Sequence, residues 1–177
     1  EVPYENLIGE ENKGWDYAKF LLGNERTGIA RVGVSKERLR RIRALASKVE
    51  SGGRPVIEDP AFREKLTACE IELKALELTQ LRVVADEGKH GKGKPNPASS
   101  VLKIKGSEIQ QTTTELLMEI IGPFAAPYDE HGDAGSNESM DWTAQIAPSY
   151  FNNRKVSIYG GSNEIQRNII SKAVLGL

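Results

Sequence analysis

The sequence is organised around a glycine-rich stretch near its C-terminus, SIYGGSNEIQR, residues 157–167. Two consecutive glycines, Gly160 and Gly161, predict a tight turn or a close backbone approach. Ser162 is placed to cap a helix that starts at Asn163. Apolar residues then recur at helical spacing, at Ile165, Ile169, Ile170 and Val174. A glycine turn that leads into a helix N-terminus suits a phosphate or carboxylate, although such a pattern alone is more often an ordinary loop.

The composition is typical of a globular protein with one hydrophobic core. The chain has 177 residues, of which 38% are apolar and 28% are charged. A net charge of −1 argues against a nucleic-acid-binding surface, which needs a basic excess. The basic run from Lys36 to Arg43 is therefore predicted to be the solvated face of a helix, with a binding patch as the less favoured alternative.

Several targeting and covalent features are not expected from this sequence. No apolar run approaches the ~20 residues that span a bilayer, so no membrane segment is predicted. The first residues do not resemble a secretory signal. The single cysteine, Cys69, excludes an internal disulfide and is predicted to be a small core residue. A bacterial cytoplasm is the expected location, and a mitochondrial matrix stays open.

Helical periodicity dominates the chain up to residue 121. The pattern predicts one long helix from Lys13 to Glu50, which at ~1.5 Å per residue would be about 55 Å long. Asp59-Pro60 predicts the start of a second helix, with Asp59 as its N-cap. A flexible turn is predicted at 88–97, and a third helix from Ala98 to Ile121.

The third predicted helix is unusually polar in its middle, where Glu108, Gln111 and Glu115 share a row with apolar residues. Either this helix is partly exposed, or it makes a polar contact across a subunit interface. The segment 122–145 is predicted to be a functional or disordered loop, in which His131 is a solvated residue rather than a metal ligand. No metal site is predicted.

Two shorter helices complete the predicted fold, one over Ala144–Ser157 and one after Gly161. Long helices joined by loops, without convincing alternating strands, indicate an all-α fold. We predict an up-down four-helix bundle of long helices with short helices at the C-terminus.

Residues 159–170, YGGSNEIQRNII, resemble the C-terminal signature of the acyl-CoA dehydrogenase family. The start of the chain agrees, because Val2-Pro3, residues 6–9 and Gly14-Trp15 resemble the family's passage from its middle β-domain into its C-terminal helical domain. The resemblance implies that residues 1–177 form this C-terminal domain of a larger flavoenzyme. We expect the isolated domain to be inactive.

The resemblance also implies a reaction and a catalytic base. Family members use FAD and convert an acyl-CoA thioester to a trans-2-enoyl-CoA, with a carboxylate removing the α-proton. In much of the family this carboxylate follows the signature tyrosine, where this chain has Gly160. The isovaleryl and long-chain branches instead take it from a Glu-Arg pair on the first long helix. Residues 21–30, LLGNERTGIA, are similar to that segment, so Glu25 is assigned as the base. A solvated Glu25 is the alternative.

Further roles follow from the same resemblance. The backbone N–H of Gly160 is expected to polarise the thioester carbonyl, and Arg26, Tyr159 and Gly161 to bind substrate. Ser162 and Glu164 match FAD-binding positions, although Glu164 is alternatively a helix N-terminal charge.

Two family motifs are altered. The Arg-x-x-Phe-Gly motif that holds the neighbouring subunit's FAD is replaced by residues 53–60, in which Arg54 is the candidate phosphate partner. The Gly-Gly-x-Gly segment is changed at residues 122–126. Both changes indicate a divergent branch of the family.

The implied partners are an acyl-CoA substrate, an electron-transfer flavoprotein as acceptor, and further subunits in a homo- or hetero-oligomer, either a dimer or a tetramer. Two alternatives stay open. The chain is a non-catalytic partner in a heteromer, or it is a flavin monooxygenase or oxidase on the same scaffold.

Overall fold

The computed structural model describes residues 2–24, 28–90, 97–125 and 143–177. The all-α prediction is confirmed. The described helices are α1 (Gly14–Asn24), α2 (Val32–Ala46), α3 (Pro60–His90), α4 (Pro97–Ile121), α5 (Ile146–Asn152) and α6 (Asn163–Ile170). Short 3-10 turns lie at Tyr4–Asn6, Gly28–Ala30, Val56–Glu58, Gly122–Ala125 and Asn153–Ser157, and a π-turn lies at Ser171–Leu175. Among these residues the only strands form a small hairpin, Glu50–Ser51 paired antiparallel with Arg54–Pro55.

The prediction of one continuous helix from Lys13 to Glu50 is wrong. Arg31 has a φ of +47° and lies in the left-handed region, immediately before α2 begins at Val32. A right-handed helix cannot run through such a residue. Helix α2 also ends before the predicted Glu50, at Ala46. There the Ser47 hydroxyl donates a hydrogen bond to the Arg43 carbonyl oxygen at 2.8 Å. Serine hydroxyls that bond the backbone in this way compete with helix continuation.

The predicted start of the second helix is confirmed. Asp59 Oδ1 accepts a hydrogen bond from the Ala61 N–H at 3.0 Å, which satisfies a donor that the first helical turn leaves unpaired. At the other end, α3 continues to His90, past the predicted loop start at residue 88. The apolar face of α3 is buried and consists of Phe62, Leu66, Cys69, Leu73, Leu76 and Val83.

The prediction for Cys69 as a core residue is also confirmed. Its side chain is only 3% exposed. Burial, together with the nearby carboxylates of Glu72 and Glu70, raises the pKa of the Cys69 thiol to about 11. The thiol is therefore neutral at physiological pH and packs as a small apolar group.

Removing the α3 cap is expected to destabilise the protein modestly. In Asp59→Ala the Ala61 N–H loses its side-chain acceptor, so the free energy of unfolding should fall by about 1 kcal/mol, a typical value for a lost N-cap. Urea unfolding followed by circular dichroism measures this difference. Glu58→Ala, one residue earlier and exposed, is the matched control. An unchanged midpoint for Asp59→Ala would contradict the capping role.

Helix α4 lies at the centre of the fold. It packs against α2, α3, α5 and α6, and against the turns Gly28–Ala30 and Asn153–Ser157. Because neighbours cover it on several sides, even its polar residues are buried, namely Ser99, Ser100, Lys103, Ser107, Gln110, Thr113 and Thr114.

The polarity of α4 is largely satisfied within this chain. The Thr113 hydroxyl donates to the Gln110 carbonyl at 2.9 Å, and the Thr114 hydroxyl to the Gln111 carbonyl at 2.7 Å. Gln111 and Glu115 of the predicted polar row bond to Arg154. Glu108 and Gln111 are half-buried and Glu115 is exposed, so the helix is partly exposed along this row, as one of the two alternatives predicted, and a subunit contact stays a prediction.

The shorter C-terminal helices differ from the prediction in their bounds. The predicted helix over Ala144–Ser157 divides into α5 and the 3-10 turn Asn153–Ser157. The predicted loop at 122–145 lies mostly outside the described residues, as does His131. No described helix combines the length and the apolar character that crossing a membrane requires.

Candidate active site

The predicted glycine turn is present and depends on both glycines. Gly160 has a φ of +68° and Gly161 a φ of +83°, conformations that favour glycine. A Cβ on Gly160 would lie 2.5 Å from Ile29 Cδ1, and a Cβ on Gly161 would collide with Gln166 Nε2. The turn is therefore a place of close approach, with Ile29 on one side and Gln166 on the other.

Ser162 caps α6 as the sequence predicts. Its Oγ accepts a hydrogen bond from the Ile165 N–H at 3.5 Å. The exposed Glu164 carboxylate accepts hydrogen bonds from its own backbone N–H and from the Ser162 hydroxyl, and these bonds lower its pKa. Glu164 thus places a negative charge at the helix N-terminus, where it is favourable. This geometry fits the alternative role given to Glu164, and its contact with FAD stays a prediction.

A buried lysine joins the glycine turn to α4. Lys103 Nζ donates to Asn163 Oδ1 at 2.8 Å and to the Ser157 carbonyl at 2.9 Å. Ser107 Oγ donates to the same Asn163 oxygen at 3.2 Å. Lys103 is 3% exposed and Asn163 is 8% exposed. Burial lowers the pKa of Lys103, and the Glu164 carboxylate opposes this shift.

Sequence reasoning missed Lys103 and Asn163. A signal was nevertheless present, because Lys103, Ser107 and Gln111 repeat every four residues and so form one polar stripe on α4. All three side chains bond to residues between 153 and 163.

Arg154 provides a second attachment to α4. Its guanidinium donates to Glu115 Oε1 at 2.7 Å, to Thr114 Oγ1 at 3.0 Å and to the Gln111 carbonyl at 3.2 Å. It also lies 4.4 Å from the centre of the Tyr150 ring, a cation–π contact. Arg154 therefore holds the segment that precedes the glycine turn against α4.

The turn Gly28–Ala30 forms a second wall of the candidate site, beside the glycine turn. Ala30 is fully buried, and a Cβ on Gly106 of α4 would lie 2.7 Å from the Ala30 Cα and 2.8 Å from its carbonyl oxygen. Only glycine at position 106 allows this backbone to approach so closely. The packing holds Ile29 against Gly160.

The predicted catalytic Glu25 and substrate-binding Arg26 lie outside the described residues. What the structure describes is the chain on either side, which ends at Asn24 in α1 and resumes at Gly28. Among the other predicted residues, Tyr159, Gly160, Gly161, Ser162 and Glu164 share the turn by sequence, and Tyr159 is 45% exposed.

Arg54 belongs to a different part of the chain. It is exposed on the second strand of the hairpin, and the 3-10 turn that follows packs on α2 and α3. The glycine turn instead leads into α6, which packs on α4. Within the described residues, no cluster of three or more His, Cys, Asp or Glu side chains has the arrangement of a metal site.

An arginine on α2 also lies near the glycine turn. Arg38 Nη1 donates to the Gln110 carbonyl and to Thr113 Oγ1, both at 3.3 Å. Burial lowers the pKa of Arg38, the charge of Arg31 lowers it further, and Tyr159 opposes the shift. Arg38 is therefore a partly buried cation that joins α2 to α4.

This helical fold and its glycine turn agree with the family comparison. Residues 12–175 match the family model described as acyl-CoA dehydrogenase, C-terminal domain. The chain therefore belongs to the acyl-CoA dehydrogenase family, as its resemblance to the family signature predicted.

Two mycobacterial relatives match nearly the whole chain. This chain is 31% identical over 172 residues to acyl-CoA dehydrogenase IpdE1 of Mycobacterium tuberculosis, and the match covers 97% of this chain and 40% of that protein. It is 28% identical over 181 residues to acyl-CoA dehydrogenase FadE26 of the same organism, covering 99% of this chain and 43% of that protein. The chain thus spans about two fifths of the length of these relatives.

Solved structures show the same fold. A chain of the ChsE4–ChsE5 complex from Mycobacterium tuberculosis matches with a TM-score of 0.72 and 26% identity, covering 99% of this chain and 43% of that one. Glutaryl-coenzyme A dehydrogenase in complex with glutaryl-CoA matches with a TM-score of 0.74 and 19% identity, covering 99% and 41%. The second likeness shows the fold alone.

Proposed function

We propose that this chain supplies the C-terminal helical domain of an FAD-dependent acyl-CoA dehydrogenase and carries its catalytic base, Glu25. One observation carries the proposal. Gly160 occupies the signature position where much of the family has its glutamate, and Ile29, four residues after Glu25, lies against it. At up to ~3.6 Å per residue, four residues span about 14 Å at most. This limit on the distance between Glu25 and Ile29 supports the proposal that Glu25 serves the position that lacks a carboxylate.

Glu25 is proposed to take the α-proton of the acyl thioester. The α C–H bond breaks, its proton moves to a Glu25 carboxylate oxygen, and its electron pair forms the new Cα=Cβ double bond. Gly160 contributes through its backbone, because its N–H is proposed to donate to the thioester carbonyl oxygen, where negative charge develops. Arg26, Tyr159 and Gly161 are proposed to hold the substrate.

The glycine turn fits a flavin cofactor. Gly160 and Gly161 adopt positive φ and carry no side chain, so the turn offers its backbone as a binding surface, and the N-terminus of α6 adds its partial positive charge. Ser162 is proposed to contact FAD. A carboxylate repels a pyrophosphate, so Glu164 is assigned to a cofactor hydroxyl. Arg54, on the separate hairpin, is assigned to the cofactor of a neighbouring subunit. When bound, FAD supplies the acceptor for the β-hydride.

The proposed partners follow from the family. An electron-transfer flavoprotein is the proposed electron acceptor, and a homo- or hetero-oligomer is the proposed assembly. A second candidate function is that of a non-catalytic subunit in a hetero-oligomer, and the match to a chain of the ChsE4–ChsE5 complex supports an assembly of two different chains. In that case the glycine turn would complete an assembly without turning over substrate.

Anaerobic mixing of the full-length flavoprotein with a panel of acyl-CoA esters tests the proposed function. We expect at least one ester to bleach the oxidised flavin absorbance and to yield the trans-2-enoyl-CoA. A protein that holds FAD but is bleached by no member of a panel of straight-chain, branched, dicarboxylyl, sterol-side-chain and aromatic esters would contradict the proposal and favour the non-catalytic subunit.

A further inference from the structure

Lys103 connects the two ends of the glycine turn. One ammonium group bonds the Ser157 carbonyl before the turn and Asn163 Oδ1 after it. The five residues between these two anchors include Gly160 and Gly161. Lys103 thus closes the base of a short loop whose tip is the proposed carbonyl-binding backbone.

A double-glycine turn needs such restraints from outside. Glycine populates positive and negative φ about equally, so the local sequence does not select the φ values of +68° and +83° found here. The direction of the Gly160 N–H depends on these dihedral angles. The anchors at Ser157 and Asn163 fix the chain on both sides of the turn, and the contact with Ile29 limits Gly160 further.

The anchoring group is a buried cation, which is a costly choice for a purely structural contact. Both of its hydrogen-bond acceptors are neutral oxygens of an amide and a carbonyl. Burying a charge is unfavourable unless it is well hydrogen-bonded, and charge-assisted hydrogen bonds are about twice as strong as neutral ones. The benefit is a stiff attachment of the turn to α4, the central helix.

We infer that Lys103 is a positioning residue that holds the Gly160 N–H in the direction required to bind the substrate carbonyl. This inference rests on the proposed function, in which Gly160 binds that carbonyl. Lys103 acts through the backbone of residues 158–162 and does not itself touch the substrate.

Replacing Lys103 by methionine in the full-length protein tests the inference. Lys103→Met keeps the length of the side chain and removes both hydrogen bonds, and misplacing a reacting group by ~1 Å costs on the order of 100-fold in rate. We expect the rate constant of flavin reduction to fall by about this factor, with the KM for acyl-CoA and the bound FAD near the wild-type values. Lys105→Met is the matched control, because Lys105 lies on the same helix but pairs with Glu108 and Glu72.

Infrared difference spectroscopy of a bound thioester, labelled with ¹³C at its carbonyl, separates positioning from general destabilisation. A carbonyl that accepts the Gly160 hydrogen bond absorbs at a lower frequency than in water. Lys103→Met should return the frequency toward its solution value, whereas Lys105→Met should not. An unchanged frequency and rate in Lys103→Met would overturn the inference and leave the proposed function intact. If the wild-type protein shows no shift, Gly160 does not bind the carbonyl, and the inference fails together with that role of Gly160, whereas the flavin-bleaching experiment still tests the dehydrogenase activity separately.

Asn163 variants keep the inference testable if Lys103→Met does not fold. Asn163→Ala removes the acceptor shared by Lys103 and Ser107 and should lose the carbonyl shift. Asn163→Asp keeps an oxygen acceptor at the same position and should retain the shift. Equal shifts in both variants would overturn the inference.

Discussion

Glu25→Gln in the full-length protein is expected to slow flavin reduction by acyl-CoA by about 10²–10⁴-fold, the usual contribution of a general base. The amide of glutamine has nearly the same size but cannot accept the α-proton. The content of bound FAD and the KM for acyl-CoA should stay near the wild-type values, since this change leaves the glycine turn in place. Anaerobic stopped-flow measurement of flavin absorbance provides the rate constant.

Glu37→Gln is the matched control for this experiment. Glu37 lies on α2, twelve residues further along the chain, and its exposed carboxylate pairs with Arg40 at 2.7 Å. Its loss should leave the reduction rate unchanged. If Glu25→Gln reduces its flavin as fast as Glu37→Gln, Glu25 is not the base, and the non-catalytic reading of this chain gains support.

Gly106→Ala is expected to lower the free energy of unfolding by about 1–3 kcal/mol, the usual cost of overpacking a core. The new Cβ would lie 2.7 Å from the Ala30 Cα and 2.8 Å from its carbonyl oxygen. These are backbone atoms, so relief requires the whole Gly28–Ala30 turn to move away from α4. Ile29 would then move relative to Gly160, and flavin reduction should slow as well. Urea unfolding by circular dichroism measures the loss of stability.

A second glycine provides the control for this prediction. Gly33 lies inside α2, and a Cβ there meets nothing within 4 Å. Gly33 is the second residue of α2, so Gly33→Ala should not destabilise the protein, because alanine favours a helix more than glycine does. If Gly106→Ala proves as stable as Gly33→Ala, the close approach of Ala30 to α4 does not hold.

The longest helices could be predicted because their signals are local. Apolar residues repeat along α3 every three or four positions from Phe62 to Leu76, and Asp59-Pro60 combines a cap with a favoured first residue. Similarly, α4 lies within one residue of its predicted bounds. Such helices are specified by residues within a turn or two of each other.

The break between α1 and α2 could not be predicted in this way. Helical periodicity continues through this region of the sequence, and Arg31 carries no local signal for the left-handed conformation it adopts. The residue before it, Ala30, packs closely on Gly106, about 75 residues away in the sequence. Contacts between such distant residues are not visible in local periodicity, and tertiary context routinely overrides a weak local preference.

In the candidate site, too, local features could be predicted from the sequence and long-range contacts could not. The glycine turn and the Ser162 cap follow from local chemistry and could be predicted. The anchor at Lys103 could not, because its contact with Asn163 joins residues 60 positions apart. The sequence shows a polar stripe on α4, but not which segment covers it.

An experimental structure of the full-length protein, with FAD and an unreactive acyl-CoA analogue bound, tests the central proposal most directly. We expect a Glu25 carboxylate oxygen within ~3–3.5 Å of the carbon that corresponds to the α-carbon. We also expect the Gly160 nitrogen within ~2.7–3.1 Å of the thioester oxygen. A Glu25 side chain directed to the outer surface, away from Gly160, would contradict this proposal.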